Sequence, residues 1–380
     1  MIRILYVSGT YMPAAGGAEI SVFTLLKYVA TKAHVTVLTR GSAPVSPTFS
    51  SNVNIRAIAC ADKAAAQVTL ERILREETFD IVLTQNAWSD IALNASSLLS
   101  IPSIVFMRSP AGNLDFSRSS AARPSLILSN SSAVASFVLK QWHRVSPVLR
   151  SPVDFRDYVI SDRRPACITM VNPIEIKGGE VVRALAEAMP DRKFLIVKGW
   201  GHLRRGSTWD TNLLNDLSDG LGDPHGWDPR ESDFSQLSNV TVSEPLADMR
   251  RVYECTRLLL VPSIKSESCP RVAIEAMSAG IPVVGSNNGG IPEALADSGI
   301  IVDEFTRPEA WVTAIESLDN ATLYNELSAR AVIRARSHDP ATIVDTFMLL
   351  LECVCAGGDE LDCLSRGPFA TVGAPLTTPS

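Results

Sequence analysis

Two glutamates, Glu267 and Glu275, flank the short run Pro270-Arg271-Val272 in this 380-residue chain. A carboxylate accepts hydrogen bonds and, when ionised, donates none. Glu267, on a loop, can therefore take hydroxyls of a sugar, and Glu275, just over one turn into a helix, those of a ribose. Between them Pro270 can open the helix, because its missing N–H has no helical partner at that position. The N–H groups of Arg271 and Val272, with the positive end of the helix dipole, then make a seat for a diphosphate, and the Arg271 side chain can add charge. Gly280 ends the helix and Pro282 starts the next strand. Taken alone, two such glutamates also fit acids that merely complement a helix dipole. The specific feature is the whole block from Ser263 to Glu293, including Glu275-Ala276-Met277, Gly280-Ile281-Pro282-Val283-Val284 and Ser286-Asn287-Asn288-Gly289-Gly290-Ile291-Pro292-Glu293.

These residues need strands and helices to hold them. Short apolar runs alternate with helical patterns along the chain, the signature of βα units around parallel sheets. Runs 2–7, 35–39, 81–84 and 103–106 read as strands buried on both faces, and Val22, Leu25, Leu26 and Val29 form one apolar helix stripe. A strand over 125–129 and a helix over 132–142 close the first series. The polar stretch Asp162-Arg163-Arg164-Pro165 then reads as a linker. A second series begins at 167–171, with a helix over 179–189 and a strand over 194–197. Residues 202–238 break the pattern and read either as a functional or mobile loop or as a disordered surface insertion. Alternation resumes at 240–242 and runs to 300–302, followed by helices over 308–318 and 322–337 and a further helix opened by Pro340.

The Ser263–Glu293 block resembles the signature of the family-four retaining glycosyltransferases. That resemblance implies the GT-B fold: two Rossmann-like domains with parallel sheets facing a central cleft. It also implies that Glu267 contacts the donor sugar and Glu275 the nucleotide ribose. Gly16-Gly17-Ala18-Glu19 follows the first strand as the family's Gly-Gly-Ala-Glu does, where the glycines let backbone approach a diphosphate or acceptor; on its own the pair also fits a tight turn. Asn172-Pro173-Ile174-Glu175-Ile176-Lys177-Gly178-Gly179 is similar to the family's phosphate-binding stretch, with Lys177 as a point charge, although Asn172 replaces the usual arginine. A surface lysine before a helix is the other reading of Lys177. Lys198-Gly199-Trp200-Gly201 resembles a turn near the nucleotide base. Cys269 and Pro270 stand where the family usually has an aromatic residue and a glycine. Residues 110–115 occupy the region where many relatives place a histidine facing the reactive sugar carbon, and here Arg108 is the nearest charge. It fits either a contact to phosphate or an acidic acceptor, or a cap on strand-end carbonyls.

Composition narrows the classes. A formal charge of -6 and a pI near 5.5 argue against a nucleic-acid binder. Seven scattered cysteines without C-x-x-C suggest neither a disulfide framework nor a zinc site, and point to reduced thiols in the cytoplasm. The N-terminal apolar run is too short for a signal peptide, and no run of about 20 apolar residues marks a transmembrane helix; peripheral membrane contact stays open. The expected domains are 1–160 on the acceptor side, 161–338 for the nucleotide-sugar donor, a helix over 339–357 packing back toward the first domain, and a disordered tail over 358–380. The expected activity is metal-independent transfer, with retention and without a cofactor, of a sugar from a nucleotide-diphosphate sugar to an unidentified acceptor. Glu267, Lys177 and Arg108 are the expected catalytic residues. Gly16, Gly17, Asn172, Lys177, Gly199, Glu267, Arg271, Val272 and Glu275 are the expected donor contacts. The rivals are a pseudo-glycosyltransferase coupling a sugar-like ring and a catalytically silent nucleotide-sugar binder.

Overall fold

The computed structural model describes residues 1–11, 16–41, 55–109, 124–199, 232–246 and 248–365. Most of the 202–238 insertion, with Trp200, Gly201 and residues 110–115, lies outside the described residues. Contacts divide the chain into one unit of Met1–Ala14, Ala18–Pro152 and Pro340–Ser380, and another of Ala15–Gly17 and Val153–Asp339.

The first unit runs β1 (Arg3–Ser8), α1 (Gly17–Val29), β2 (His34–Arg40), β3 (Ile55–Cys60), α2 (Lys63–Glu76), β4 (Ile81–Thr84), α3 (Ser89–Leu98), β5 (Ser103–Met107), β6 (Leu126–Ser129) and α4 (Ser132–Trp142). Its strands form one six-stranded sheet in the order β3-β2-β1-β4-β5-β6, every neighbouring pair parallel. Every residue of β4, β5 and β6 is buried. Helices cover a parallel sheet on both faces, which is why these strands read as continuous apolar runs. Helix α1 turns Val22, Leu25, Leu26 and Val29 into the core.

In the second unit the chain runs β7 (Cys167–Val171), α5 (Gly179–Ala188), β8 (Lys193–Val197), β9 (Val240–Ser243), α6 (Arg250–Cys255), β10 (Thr256–Val261), α7 (Arg271–Ser278), β11 (Val283–Ser286), α8 (Ile291–Leu295), β12 (Ile300–Val302), α9 (Pro308–Ser317) and α10 (Ala321–Ala335). The sheet order is β12-β11-β10-β7-β8-β9, again all parallel. Successive side chains of β10 serve opposite faces, as strand geometry requires. Leu258 and Leu260 join a core with Val182, Leu185, Trp311 and Ile315, while Leu259 and Val261 join one with Tyr253, Ile274, Met277 and Val283.

Counted within its own unit, each sheet has the same doubly wound order, reversing direction between its first and fourth strands. Ligands of such sheets bind beyond the carboxyl ends of the strands at that reversal. In the second unit the reversal lies between β7 and β10, whose following loops carry Lys177 and Glu267.

The division falls between Pro152 and Val153, ahead of the expected 160. Val153 is fully buried, donates its N–H to the His338 carbonyl at 2.9 Å, and is followed by Tyr158 and Ile160 on the second unit's core. Helix α11 (Pro340–Cys355) contributes Ile343, Val344, Phe347, Leu350 and Leu351 to the first unit's core. The expectation of disorder from Gly358 onward needs correction, because Glu360–Leu364 form a short helix, α12. Asp359 caps it in a reciprocal capping box with Asp362, and Cys363 is buried under it. Among the described residues no helix is long and apolar enough to cross a membrane.

Candidate active site

Three loops at the carboxyl ends of β7, β10 and β11 are clamped together. After β7 the chain makes a 3₁₀ turn, Glu175–Lys177, and leaves it through Gly178 at φ 85°. A Cβ on Gly178 would stand 2.1 Å from the Pro262 carbonyl oxygen, so only glycine lets these loops touch. The Ile264 and Lys265 N–H groups both donate to the Ile176 carbonyl at 3.0 Å. After β11, the Ser286 hydroxyl donates to the Ser263 carbonyl at 2.9 Å and the Asn288 amide to the Ile264 carbonyl at 2.7 Å. Gly290 N–H reaches the Glu267 carbonyl at 2.6 Å. The backbone under Glu267 is thereby held from both sides.

This clamp brings Lys177 and Glu267 together. The Lys177 ammonium is ion-paired with Glu267 Oε2, which also accepts from the Ser263 hydroxyl at 3.2 Å. Both side chains keep a path to solvent, with side-chain exposures of 33% and 15%. An ammonium is a mobile point charge with three donors, so Lys177 can serve an incoming anion without leaving the carboxylate's neighbourhood. Helix α7 starts at Arg271 behind Pro270, which offers no side-chain cap, and the positive end of its dipole favours an anion. Val272 lies in the same first turn.

Arg271 serves a different partner from the one its sequence suggests. Its Nε lies 2.8 Å from Glu275 Oε1 in an ion pair, and the residue is only 9% exposed, so the side-chain charge is committed within the helix. Burial alone would lower the guanidinium's pKa, but Glu275 and Tyr158 beside it raise it overall. The other Glu275 oxygen accepts from the Tyr253 hydroxyl at 2.9 Å. Burial, with the Glu275 charge beside it, pushes the Tyr253 phenol well above its ordinary value, keeping it a proton donor.

Asn172 and Gly199 pack directly on each other. Asn172 adopts φ 63°, and a Cβ on Gly199 would fall 2.3 Å from the Asn172 side-chain carbon and oxygen. That buried oxygen has no hydrogen-bond partner among the described residues.

In the first unit Arg108 is buried within a polar cluster. Its Nε donates to Gln85 Oε1 at 3.2 Å and its Nη1 to the Ser151 hydroxyl at 3.0 Å, and its guanidinium lies 3.6 Å from the Phe106 ring centroid. Gly16 precedes α1 and Gly17 opens it, with Glu19 buried in the first turn. The residues that the sequence did not single out are Ser263, Tyr253 and Tyr158. Ser263 sits inside the motif block, but the two tyrosines reach Glu275 only through the fold, and local spacing carries no sign of them.

Residues 222–320 match the model of the family described as Glycosyl transferases group 1. The match is confined to that segment, which lies within the second unit. Glu267, Arg271 and Glu275 all fall inside it. Among curated proteins, the chain is similar to the D-inositol 3-phosphate glycosyltransferase of Segniliparus rotundus, 46% identical over 84 residues, which are 21% of this chain and 18% of that protein. The protein of the same name from Corynebacterium kroppenstedtii is 33% identical over 149 residues, 38% of this chain and 30% of that one. The matched stretch thus spans less than a third of either relative. Among solved structures, Anabaena HepE in complex with UDP and glucose superimposes with a TM-score of 0.68 at 16% identity, covering 93% of this chain and 100% of that one. A glycosyltransferase from Rickettsia africae gives a TM-score of 0.71 at 14% identity, covering 93% and 98%. At these identities the likeness establishes the fold, which is GT-B.

Proposed function

We propose that this chain is a group 1 glycosyltransferase that transfers a sugar from a nucleotide-diphosphate sugar to a hydroxyl acceptor, with retention at the sugar carbon and without a metal ion or cofactor. The observation that carries the proposal is the Lys177–Glu267–Ser263 constellation at the strand-order reversal, beside the start of α7. A diphosphate seated there meets the Lys177 ammonium and the N–H groups of the first helical turn. Both favour the charge that grows on the phosphate as the glycosidic bond breaks. Glu267 accepts hydrogen bonds from sugar hydroxyls and fixes the ring, and Glu275 does the same for ribose. The departing phosphate oxygen takes the acceptor's proton as the new bond forms on the same face. Arg108, in the first unit, is proposed to orient an anionic group of the acceptor. The seven cysteines form no disulfide with one another, which fits an enzyme working in the reducing cytosol.

The names of the curated relatives make D-inositol 3-phosphate the first acceptor to try. The decisive assay incubates the protein with UDP-, GDP- and ADP-sugars, with and without that acceptor, in the presence of EDTA. Released diphosphate is followed, and the product's anomeric configuration is read by NMR. Turnover is expected with one donor class, and Glu267→Gln and Lys177→Met are each expected to lower it about a hundredfold or more. Tight diphosphate binding with no turnover on any donor would instead identify a silent binder.

A further inference from the structure

Arg271 and Glu275 form an ion pair one helical turn apart, and the two residues are only 9% and 5% exposed. Tyr253, 0% exposed, donates to the second carboxylate oxygen at 2.9 Å. Tyr158 closes the cluster, its ring edge-on to that of Tyr253 with centroids 6.0 Å and planes 65° apart. Removing a guanidinium and a carboxylate from water is costly, and an apolar pair of similar volume often packs as well or better. Stability therefore gives no reason for this pair.

The pair does supply a carboxylate that is fixed in direction. A carboxylate accepts hydrogen bonds at both oxygens, and here Arg271 stands against one oxygen and the Tyr253 hydroxyl donates to the other. Two oxygens fixed in this way suit the two neighbouring hydroxyl donors of a ribose diol.

We propose that Arg271 and Tyr253 are positioning residues that hold Glu275 as a fixed double acceptor for the ribose diol, making the site selective for ribonucleotides over deoxyribonucleotides. The inference rests on the reading of the second unit as a nucleotide-sugar site, and adds to it the source of that selectivity in two side chains aimed at Glu275.

The test measures calorimetric affinities of the full chain for UDP, GDP and ADP and for the 2′-deoxy counterpart of each. The wild type, Tyr253→Phe, Arg271→Met and Arg271→Lys are compared, with melting curves for each. Wild type is expected to favour the ribo form by about tenfold or more, the scale of losing a hydrogen bond to a charged group. In Tyr253→Phe and Arg271→Met that ratio should fall toward one while affinity for the deoxy form changes little, and Arg271→Lys should recover part of it. In turnover, the loss should appear as a raised KM with little change in kcat. Should Arg271→Met fail to fold, Tyr253→Phe decides alone, since it keeps the ring and removes only the hydroxyl. A ratio unchanged in the folded variants, or a wild type indifferent to the 2′-hydroxyl, overturns the proposal while leaving the nucleotide site standing. Failure of the wild type to bind any of the six nucleotides overturns the reading of the site itself.

Discussion

Glu19 sits at 6% exposure in the first turn of α1, an unusual depth for a carboxyl group. Burial pushes its pKa above the ordinary carboxylate range, and hydrogen bonds from its own N–H and from Thr10, with the Arg108 charge, only partly offset this. Between the unfolded value and the raised folded value, the folded protein holds a proton that the unfolded chain has released. The contribution of Glu19 to stability is therefore fully present below the unfolded pKa and is lost as pH rises through the folded one. Glu19→Gln has no such proton. Melting temperatures compared from about pH 4 to about pH 8 should show the wild type losing ground to the variant as pH rises, whatever the offset between them. A constant difference would mean that Glu19 titrates as an exposed first-turn acid does.

At the scale of elements, the loops of the candidate site depend on glycines that allow close backbone approach. Gly289 lies at φ 59°, and a Cβ there would stand 2.1 Å from the Glu267 carbonyl oxygen and 2.8 Å from the Glu267 nitrogen. Gly289→Ala must both strain its own backbone and push the loop that carries Glu267. The expected cost is about 2–4 kcal/mol in urea unfolding, together with a fall in donor turnover. Gly357→Ala is the matched control, because at φ 83° it has nothing within 4 Å and suffers only the backbone strain, about 1 kcal/mol. Equal losses in the two variants would show that the contact with Glu267 contributes nothing.

These same loops show how far the sequence can be read. Pro270, Gly280 and Gly289-Gly290 are legible because a proline at a helix start or a glycine at positive φ answers a local backbone constraint. The strands β4, β5 and β7 are legible because burial on both faces leaves an unbroken apolar run. Strand β3 is not, since it lies at the sheet edge and is mostly half-buried. Helix α12 hides in a segment of polar composition, where the cap formed by Asp359 and Asp362 decides the outcome. Hardest to foresee is the direction of Arg271, which depends on Tyr253 and Tyr158. These residues come from other elements, and only sheet order and helix packing bring them to Glu275.

For the whole molecule, the return of the last long helix to the first unit sets an order of folding. Every partner named above for Lys177, Glu267, Arg271 and Glu275 lies within Val153–Asp339, and that stretch has packed cores on both faces of its sheet. A fragment of residues 153–339 is therefore expected to fold cooperatively and to bind the nucleotide diphosphate. The longer fragment 1–339 should be the less stable of the two. It lacks Ile343, Val344, Phe347, Leu350 and Leu351, each 5% exposed or less in the first unit's core. At about 1.5–3 kcal/mol for each buried side chain, their loss is on the order of 10 kcal/mol. That is comparable with the entire stability of a typical domain, about 5–15 kcal/mol. Hydrogen exchange checks this directly. In 1–339 the amides of β7, β8 and β10 should stay protected while those of β1, β4 and β5 exchange as in an unfolded chain. Protection of both sheets in 1–339 would show that the first unit stands without α11. Its absence means that the first unit must wait for α11, and that the candidate site forms before it.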